Sequence, residues 1–290
     1  MFRAVDDATA TAMLEAAWAA GVRRCDTAPH YGAGLAEHRL GAFLRQHRRD
    51  SYPLSTKLGR LLVDTDDDTE GAEGFFGGWQ KRRVLDYSAA GVRRSLAESV
   101  ERMGVGRVDV VLIHDPDDHM DQAIDDGYPA LAALRSEGVV SAIGAGMIHA
   151  APLTRLVRET DPDVVMVAGR YTLLDRSAEA ELLPACVDRG VQVLAAAAFN
   201  SGVLADPRPG AMYDYAPAPP EVLRRAERIK GICDRHGVDV RAAGLQFPLR
   251  HPAVDAVTVG FADAAQLRDN VASLKTQIPQ ALWDELAAVT

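Results

Sequence analysis

VDVVLIHDP, residues 108–116, decides the fold of this chain. A near-continuous apolar run that stops at a histidine, an aspartate and a proline is the pattern of a strand buried on both faces, as in a parallel sheet covered by helices. A half-exposed strand would alternate apolar and polar residues instead. Upstream, Ser88 can cap a helix that runs through Met103 and stops at Gly104. Downstream, YPALAALRSEG (128–138) reads as helix, VVSAIGAGM (139–147) as strand and PLTRLVRET (152–160) as helix.

The alternation continues in both directions. Toward the N-terminus stand the helix ATATAMLEAAWAA (8–20), the strand VRRCDTA (22–28), the helix LAEHRLGAFLRQH (35–47) and the strand YPLSTKLG (52–59). Toward the C-terminus come the strand VVMVAGRYTLL (164–174), the helix AEAELLPACVDRG (178–190) and the strand VQVLAAAAF (191–199). Helices near 220–236 and 239–250, the strand AVDAVTVGF (253–261), the helix AAQLRDNVASL (264–274) and a last helix from about Pro279 to Ala288 complete the chain. Strict alternation predicts a parallel sheet with helices outside it. Seven strands suit a doubly wound sheet, whereas a (β/α)₈ barrel needs eight, so the count leaves the two architectures open. No linker or composition break divides residues 1–290, which read as one domain. Two segments, Val63–Tyr87 and Asn200–Pro220, are long for connections and read as functional or mobile loops.

Composition excludes several classes of function. The chain has 290 residues, is 48% hydrophobic and carries a net charge of −9. It lacks the clustered Lys and Arg that phosphate neutralisation requires, so nucleic acid is not an expected partner. No apolar run is long enough to span a bilayer, and the acidic start lacks a signal-peptide core; the expected location is cytoplasmic. Cys25, Cys186 and Cys233 show no metal or disulfide spacing, and Cys25 reads as a small core residue. No metal is expected. Asp64, Asp66 and Asp68 fail as a calcium loop because Thr69 and Phe75 stand where Gly and Glu are needed, and His114, Asp115 and His119 are a weak metal set. No nucleotide fingerprint opens the fold: TAPHYGAG follows the first strand, and GAGMIH (144–149) lacks the third glycine.

Asp26, Tyr31, Lys57 and His114 sit at or just beyond the C-terminal ends of three successive strands, the end where parallel sheets bind ligands. Taken singly each has an ordinary reading: a turn former, a packing ring, a snorkelling lysine, a core histidine. Together they make a proton-transfer site. A lysine ammonium stabilises the phenolate of Tyr31, a carboxylate holds the lysine charged and in place, and an imidazole orients an oxygen of the substrate. Such a site suits carbonyl/alcohol interconversion, and the hydride that no side chain supplies calls for a nicotinamide cofactor.

DTAPHYG, STKLGR and VLIHDP, in this order and spacing, resemble the aldo-keto reductase superfamily, and the likeness runs on through GVVSAIGAGM, YTLLDR, FNSGVL and AQLRDN. AEHRLG, FNSGVLA and YDYAPAPPEV are similar to the branch of D-threo-aldose (L-fucose) 1-dehydrogenase, L-galactose dehydrogenase and pyridoxal 4-dehydrogenase. The resemblance implies a (β/α)₈ TIM barrel of the α/β class with NAD or NADP across its C-terminal face. It assigns Tyr31 as general acid/base, Lys57 and Asp26 as its tuners and His114 as substrate orienter. It places the pyrophosphate at Phe199, Asn200, Ser201, Gly202 and Leu204, and the adenosine side at Gly260, Gln266 and Asn270. Gly146, Met147, Ala168 and Ala196 depart from the family's carboxamide and ring-stacking pattern. After Gly260 stand Phe261, Ala262 and Asp263 in place of basic residues that would clamp a 2′-phosphate, with Arg268 the only nearby candidate, and like charge beside Asp263 favours NAD over NADP. Phe75, Phe76, Trp79, Tyr213 and Tyr215 are candidates for the wall of the substrate pocket. The family's N-terminal hairpin and first barrel strand are missing here, which leaves seven parallel strands and suggests that Met1 is an internal start. The activity implied is oxidation of the anomeric carbon of an aldose of the L-fucose, L-galactose or D-arabinose type to a lactone. Oxidation of pyridoxal, reduction of a small aldehyde, or a non-catalytic nucleotide-binding barrel are the alternatives.

Overall fold

Seven parallel strands follow one another in the sheet as they do in the chain: β1 (Cys25–Asp26), β2 (Leu54–Leu58), β3 (Val110–His114), β4 (Ala142–Met147), β5 (Val164–Ala168), β6 (Gln192–Ala196) and β7 (Val254–Thr258). The computed structural model describes residues 4–288, so Met1 and the question of an internal start lie outside the described residues. The fold class is α/β, as the alternation predicted, and no strand precedes the first helix, α1 (Asp7–Ala19), among those residues.

The chain forms two compact units. One reaches to Met147 and includes Arg158–Val165; the other holds Ile148–Val157 and the chain from Met166 onward.

In the first unit, β2 is buried at every position and β3 at all but its first, the burial that an unbroken apolar run requires. The register pairs Asp26 with Ser55, Lys57 with Leu112 and His114 with Gly146, which brings the polar strand ends into line. Asp109 fixes the start of β3 by accepting from the Leu54 amide at 2.7 Å and from Arg49 at 2.6 Å. Helix α2 (Leu35–Leu44) packs tightly on α3 (Ala89–Met103): a Cβ at Gly41 would lie 2.1 Å from the Met103 carbonyl oxygen. Helix α3 starts and stops where its sequence predicted. The Ser88 side chain accepts from the Gly91 amide, and Gly104 turns left-handed at φ 62°. Gly144 has a packing reason too, since a Cβ there would come within 1.7 Å of the Val164 carbonyl oxygen. The GAG of β4 thus serves close backbone approach.

The segment Val63–Tyr87 holds structure that its sequence hides. Arg60–Asp64 and Lys81–Leu85 pair as an antiparallel hairpin outside the main sheet. In the second unit, β5 stops at Ala168 because Gly169 turns left-handed at φ 72°. The apolar residues 171–174, read as strand, instead form a buried turn. Met212–Tyr213 and Ala216–Pro217 form a second small hairpin with left-handed Asp214 and Tyr215 at its turn. After α4 (Tyr128–Ser136) and α5 (Ala150–Glu159), helices α6 (Leu182–Arg189), α7 (Pro220–Arg235), α8 (Val240–Gln246), α9 (Ala264–Lys275) and α10 (Gln280–Ala287) complete the chain.

Candidate active site

The four residues singled out from sequence meet in the first unit. Asp26 ends β1, Lys57 lies on β2 and His114 ends β3, while Tyr31 follows β1 on a turn in which Gly32 and Ala33 are left-handed. Lys57 is 2% exposed, a position a lysine holds only when its charge is matched. Its Nζ donates to Asp26 Oδ2 at 2.6 Å and to the Thr27 carbonyl oxygen at 3.0 Å, and it lies 4.7 Å from the centre of the Tyr31 ring. Ser55 donates to the other Asp26 oxygen at 2.6 Å. Burial alone would lower the Lys57 ammonium, but Asp26 and Tyr31 outweigh it and the net shift is upward. Lys57 is therefore a fixed positive charge.

Tyr31 and His114 face each other edge to face, with ring centroids 5.9 Å apart. Burial raises the Tyr31 phenol above its ordinary value, and Lys57 pulls the other way without overcoming it. The sequence led to a phenol made acidic by its lysine; here burial is the larger effect, and Tyr31 is protonated at neutral pH. His114 is held neutral by burial first and then by Lys57 and Arg60.

Several neighbours were not read from the sequence as partners of the tetrad, although all but Tyr87 lie inside motifs already quoted. His30, beside Tyr31, packs edge to face on both Phe75 and His114, and burial, Arg60, Arg83 and Lys57 push its pKa down to about 3. Arg60, from STKLGR, pairs with Asp115, from VLIHDP, at 3.2 Å. Tyr87 carried no sequence signal; it is fully buried and donates to the carbonyl oxygens of His114 and Asp115.

Of the loop aromatics, Phe75 reaches the tetrad: it is buried and its ring stacks on Tyr31 at 5.9 Å. Trp79 packs on His38 and α2, and its amide donates to the Gly32 carbonyl at 3.0 Å, so it braces the Tyr31 turn. Phe76 is exposed and lies against Gly71.

The remaining candidates belong to the second unit. Asn200 is buried and both polar atoms of its side chain are engaged: Oδ1 accepts from Thr172 at 2.7 Å, and Nδ2 donates to the Gly169 carbonyl at 2.9 Å. Leu204 is a core side chain, packed with Phe199 against Gly244 on α8. Asn200, Ser201 and Gly202 are successive left-handed residues, the kind of backbone that can point several amides at an anion. Asp263 caps α9 by accepting from the amides of Ala265 and Gln266, and Gln266 accepts from the Ala262 amide, while Gly260 borders open space. Tyr213 donates to Asp175 at 3.0 Å, and Tyr215 stands exposed at the turn of the small hairpin.

Among the buried polar atoms of the first unit with no hydrogen-bond partner among the described residues are Thr27 Oγ1 and His114 Nδ1, both beside the tetrad. Such atoms are costly unless a ligand completes them, and this supports a bound cofactor and substrate beside the tetrad. Aldo-keto reductases use NAD(P)H.

A family model described as "Aldo/keto reductase family" matches residues 2–290. D-threo-aldose 1-dehydrogenase of a Pseudomonas species is 46% identical, over 99% of this chain and 89% of its own length. Pyridoxal 4-dehydrogenase of Microbacterium luteolum is 37% identical with the same coverage. L-galactose dehydrogenase of Arabidopsis thaliana is 31% identical over 93% of this chain and 79% of its own. Among solved structures, the holo form of an aldo-keto reductase from Bacillus halodurans superposes with a TM-score of 0.79 at 22% identity, covering 99% of this chain and 89% of that one; this likeness concerns the fold alone. The chain belongs to the aldo-keto reductase family and is an oxidoreductase of that family.

Proposed function

We propose that this chain oxidises the anomeric hydroxyl of an aldose of the L-fucose, L-galactose or D-arabinose type to the lactone, with NAD as the favoured acceptor. The observation that carries the reading is the buried Lys57 ammonium bonded to Asp26 and set 4.7 Å from the centre of the Tyr31 ring, with His114 across from the phenol. The named activities of the relatives at 46% and 31% identity support the substrate class. A bound nicotinamide would take the hydride from the anomeric carbon. The Tyr31 phenol first loses its proton to solvent, Lys57 stabilises the phenolate that results, this phenolate takes the proton of the reacting hydroxyl, and Asp26 keeps Lys57 charged and in place. His114, neutral and buried, orients the substrate by a hydrogen bond.

The left-handed backbone at Asn200–Gly202 supports pyrophosphate binding by main-chain amides, with Phe199 and Leu204 as the packing that holds that loop. Gly260, Gln266 and Asn270 are proposed for the adenosine side. The experiment is a nicotinamide-absorbance screen of L-fucose, L-galactose, D-arabinose and pyridoxal with NAD and NADP separately, for the wild type and Tyr31→Phe. The sugars are turned over and the variant loses about 10²- to 10⁴-fold, the usual worth of a general acid/base. Turnover of pyridoxal alone, or none that depends on Tyr31, would overturn the reading.

A further inference from the structure

Tyr31 is followed by three left-handed residues, Gly32, Ala33 and Gly34, with φ of 60°, 51° and 100°. Ala33 has a side chain, so this conformation costs it energy. A backbone of this kind persists only where its surroundings over-determine it. Here they come from one stretch of chain, the hairpin of Arg60–Asp64 with Lys81–Leu85 and the loop it encloses. Leu62 is buried and lies against the end of the turn, where a Cβ at Gly34 would come 3.0 Å from Leu62 Cδ1. Gly78 lies against its middle: a Cβ there would be 2.8 Å from the Gly32 carbonyl oxygen, which also accepts from the Trp79 amide at 3.0 Å.

Arg83 takes the start of the turn. It stands opposite Leu62 in the hairpin, and its Nε and Nη2 donate to the His30 carbonyl oxygen at 3.3 and 3.0 Å. The same oxygen accepts from the Ala33 amide at 3.3 Å, the bond that closes the backbone around Tyr31. Hydrogen bonds from a charged donor are stronger than those between neutral groups. The guanidinium also lies 5.4 Å from the centre of the Phe75 ring, and that ring stacks on Tyr31. One side chain thus fixes the peptide just before Tyr31 and backs the ring that packs on its phenol.

We propose that Arg83 is a positioning residue that holds the left-handed turn in the form presenting the Tyr31 phenol to Lys57 and His114. The inference rests on the reading of Tyr31 as the acid/base of the reaction. The hairpin outside the main sheet then supplies no reacting group and sets where one stands. Misplacing a reacting group by about 1 Å costs about 10²-fold in rate.

The test is ¹³C NMR of the whole chain labelled at tyrosine Cζ and without substrate, with the Tyr31 signal identified by its loss in Tyr31→Phe. The expected result is one narrow Tyr31 line in the wild type and a doubled or broadened line in Arg83→Met, which keeps an apolar stem and removes the fork. In turnover of L-fucose, Arg83→Met loses about 10²-fold in kcat, with KM and NAD affinity unchanged. A Tyr31 line unchanged by the substitution overturns the proposal. So does a raised KM with kcat kept, which would make Arg83 a substrate-binding residue. Should Arg83→Met fail to fold, Arg83→Lys keeps the stem and the charge without the fork and is read in the same way. If the wild type does not turn over L-fucose, the functional reading fails there while the Tyr31 line still decides this one.

Discussion

Lys57 Nζ stands 2.6 Å from Asp26 Oδ2, with the two side chains 2% and 12% exposed. A pair this far from water is stable only as a pair, and its ammonium lies 4.7 Å from the centre of the Tyr31 ring. Lys57 is what opposes the upward pull of burial on that phenol. Replacing it with Met removes the opposition, so the Tyr31 pKa rises further. In the oxidative direction the phenolate is the working form, and activity rises with pH through the phenol's pKa. The expected outcome for Lys57→Met is a pH–kcat profile displaced to higher pH, with a loss of turnover that is largest at neutral pH and partly recovered in alkali. A profile that falls uniformly without moving would show that Lys57 does not tune the phenol.

His30 gives a second pH effect of known sign. Its pKa is pushed down to about 3 by burial and by Arg60, Arg83 and Lys57, while an unfolded histidine titrates near ~6.5. Between these values the unfolded chain binds a proton that the folded chain does not, so stability falls as pH drops through this window. His30→Phe keeps a ring between Phe75 and His114 and removes the proton site. The variant's urea midpoint should fall less than the wild type's between neutral pH and mild acid. Equal slopes would mean that His30 is protonated in the folded protein.

Much of this was legible in the sequence, and the part that was not has a physical reason. VLIHDP reads as a buried strand because its run of side chains has no polar face, and Ser88 and Gly104 mark α3 because their backbone roles are local. The hairpin of Arg60–Asp64 with Lys81–Leu85 was hidden because KRRVL lacks an alternating pattern and its pairing is outside the main sheet. The tetrad could be assembled from strand ends alone. His30, Arg60 and Asp115 lay within the same quoted motifs, but what they do depends on which side chain they face. Tyr87 acts through carbonyl oxygens of residues 27 and 28 positions away, which no local pattern encodes.

Glu37 is fully buried on α2, where its two carboxylate oxygens accept from Thr56 Oγ1 and Arg102 Nε, each at 2.7 Å. This ties α2 to β2 and α3. Removing one member leaves a buried charge uncompensated, so Arg102→Met should cost about 3–5 kcal/mol, read as a lower denaturant midpoint. The double variant Glu37→Gln, Arg102→Met removes both charges and should recover most of that loss. If the double variant is as unstable as the single one, packing of the Arg102 stem accounts for the cost instead of charge.

Asp263 bears on the choice of cofactor. Its carboxylate accepts from the Ala265 and Gln266 amides at the start of α9, which fixes a negative charge next to the residues proposed for the adenosine side. A 2′-phosphate there meets like charge, and two unit charges roughly 4 Å apart interact by about 1 kcal/mol in water, a factor of about five in affinity. Asp263→Ser keeps a helix-capping side chain and removes the charge. Fluorescence titrations should find NAD bound more tightly than NADP by the wild type, and the gap narrowed about fivefold in Asp263→Ser through tighter NADP binding. Equal affinity of the wild type for both would remove the basis for the NAD preference. A gap that the substitution leaves untouched would place its origin in residues other than Asp263.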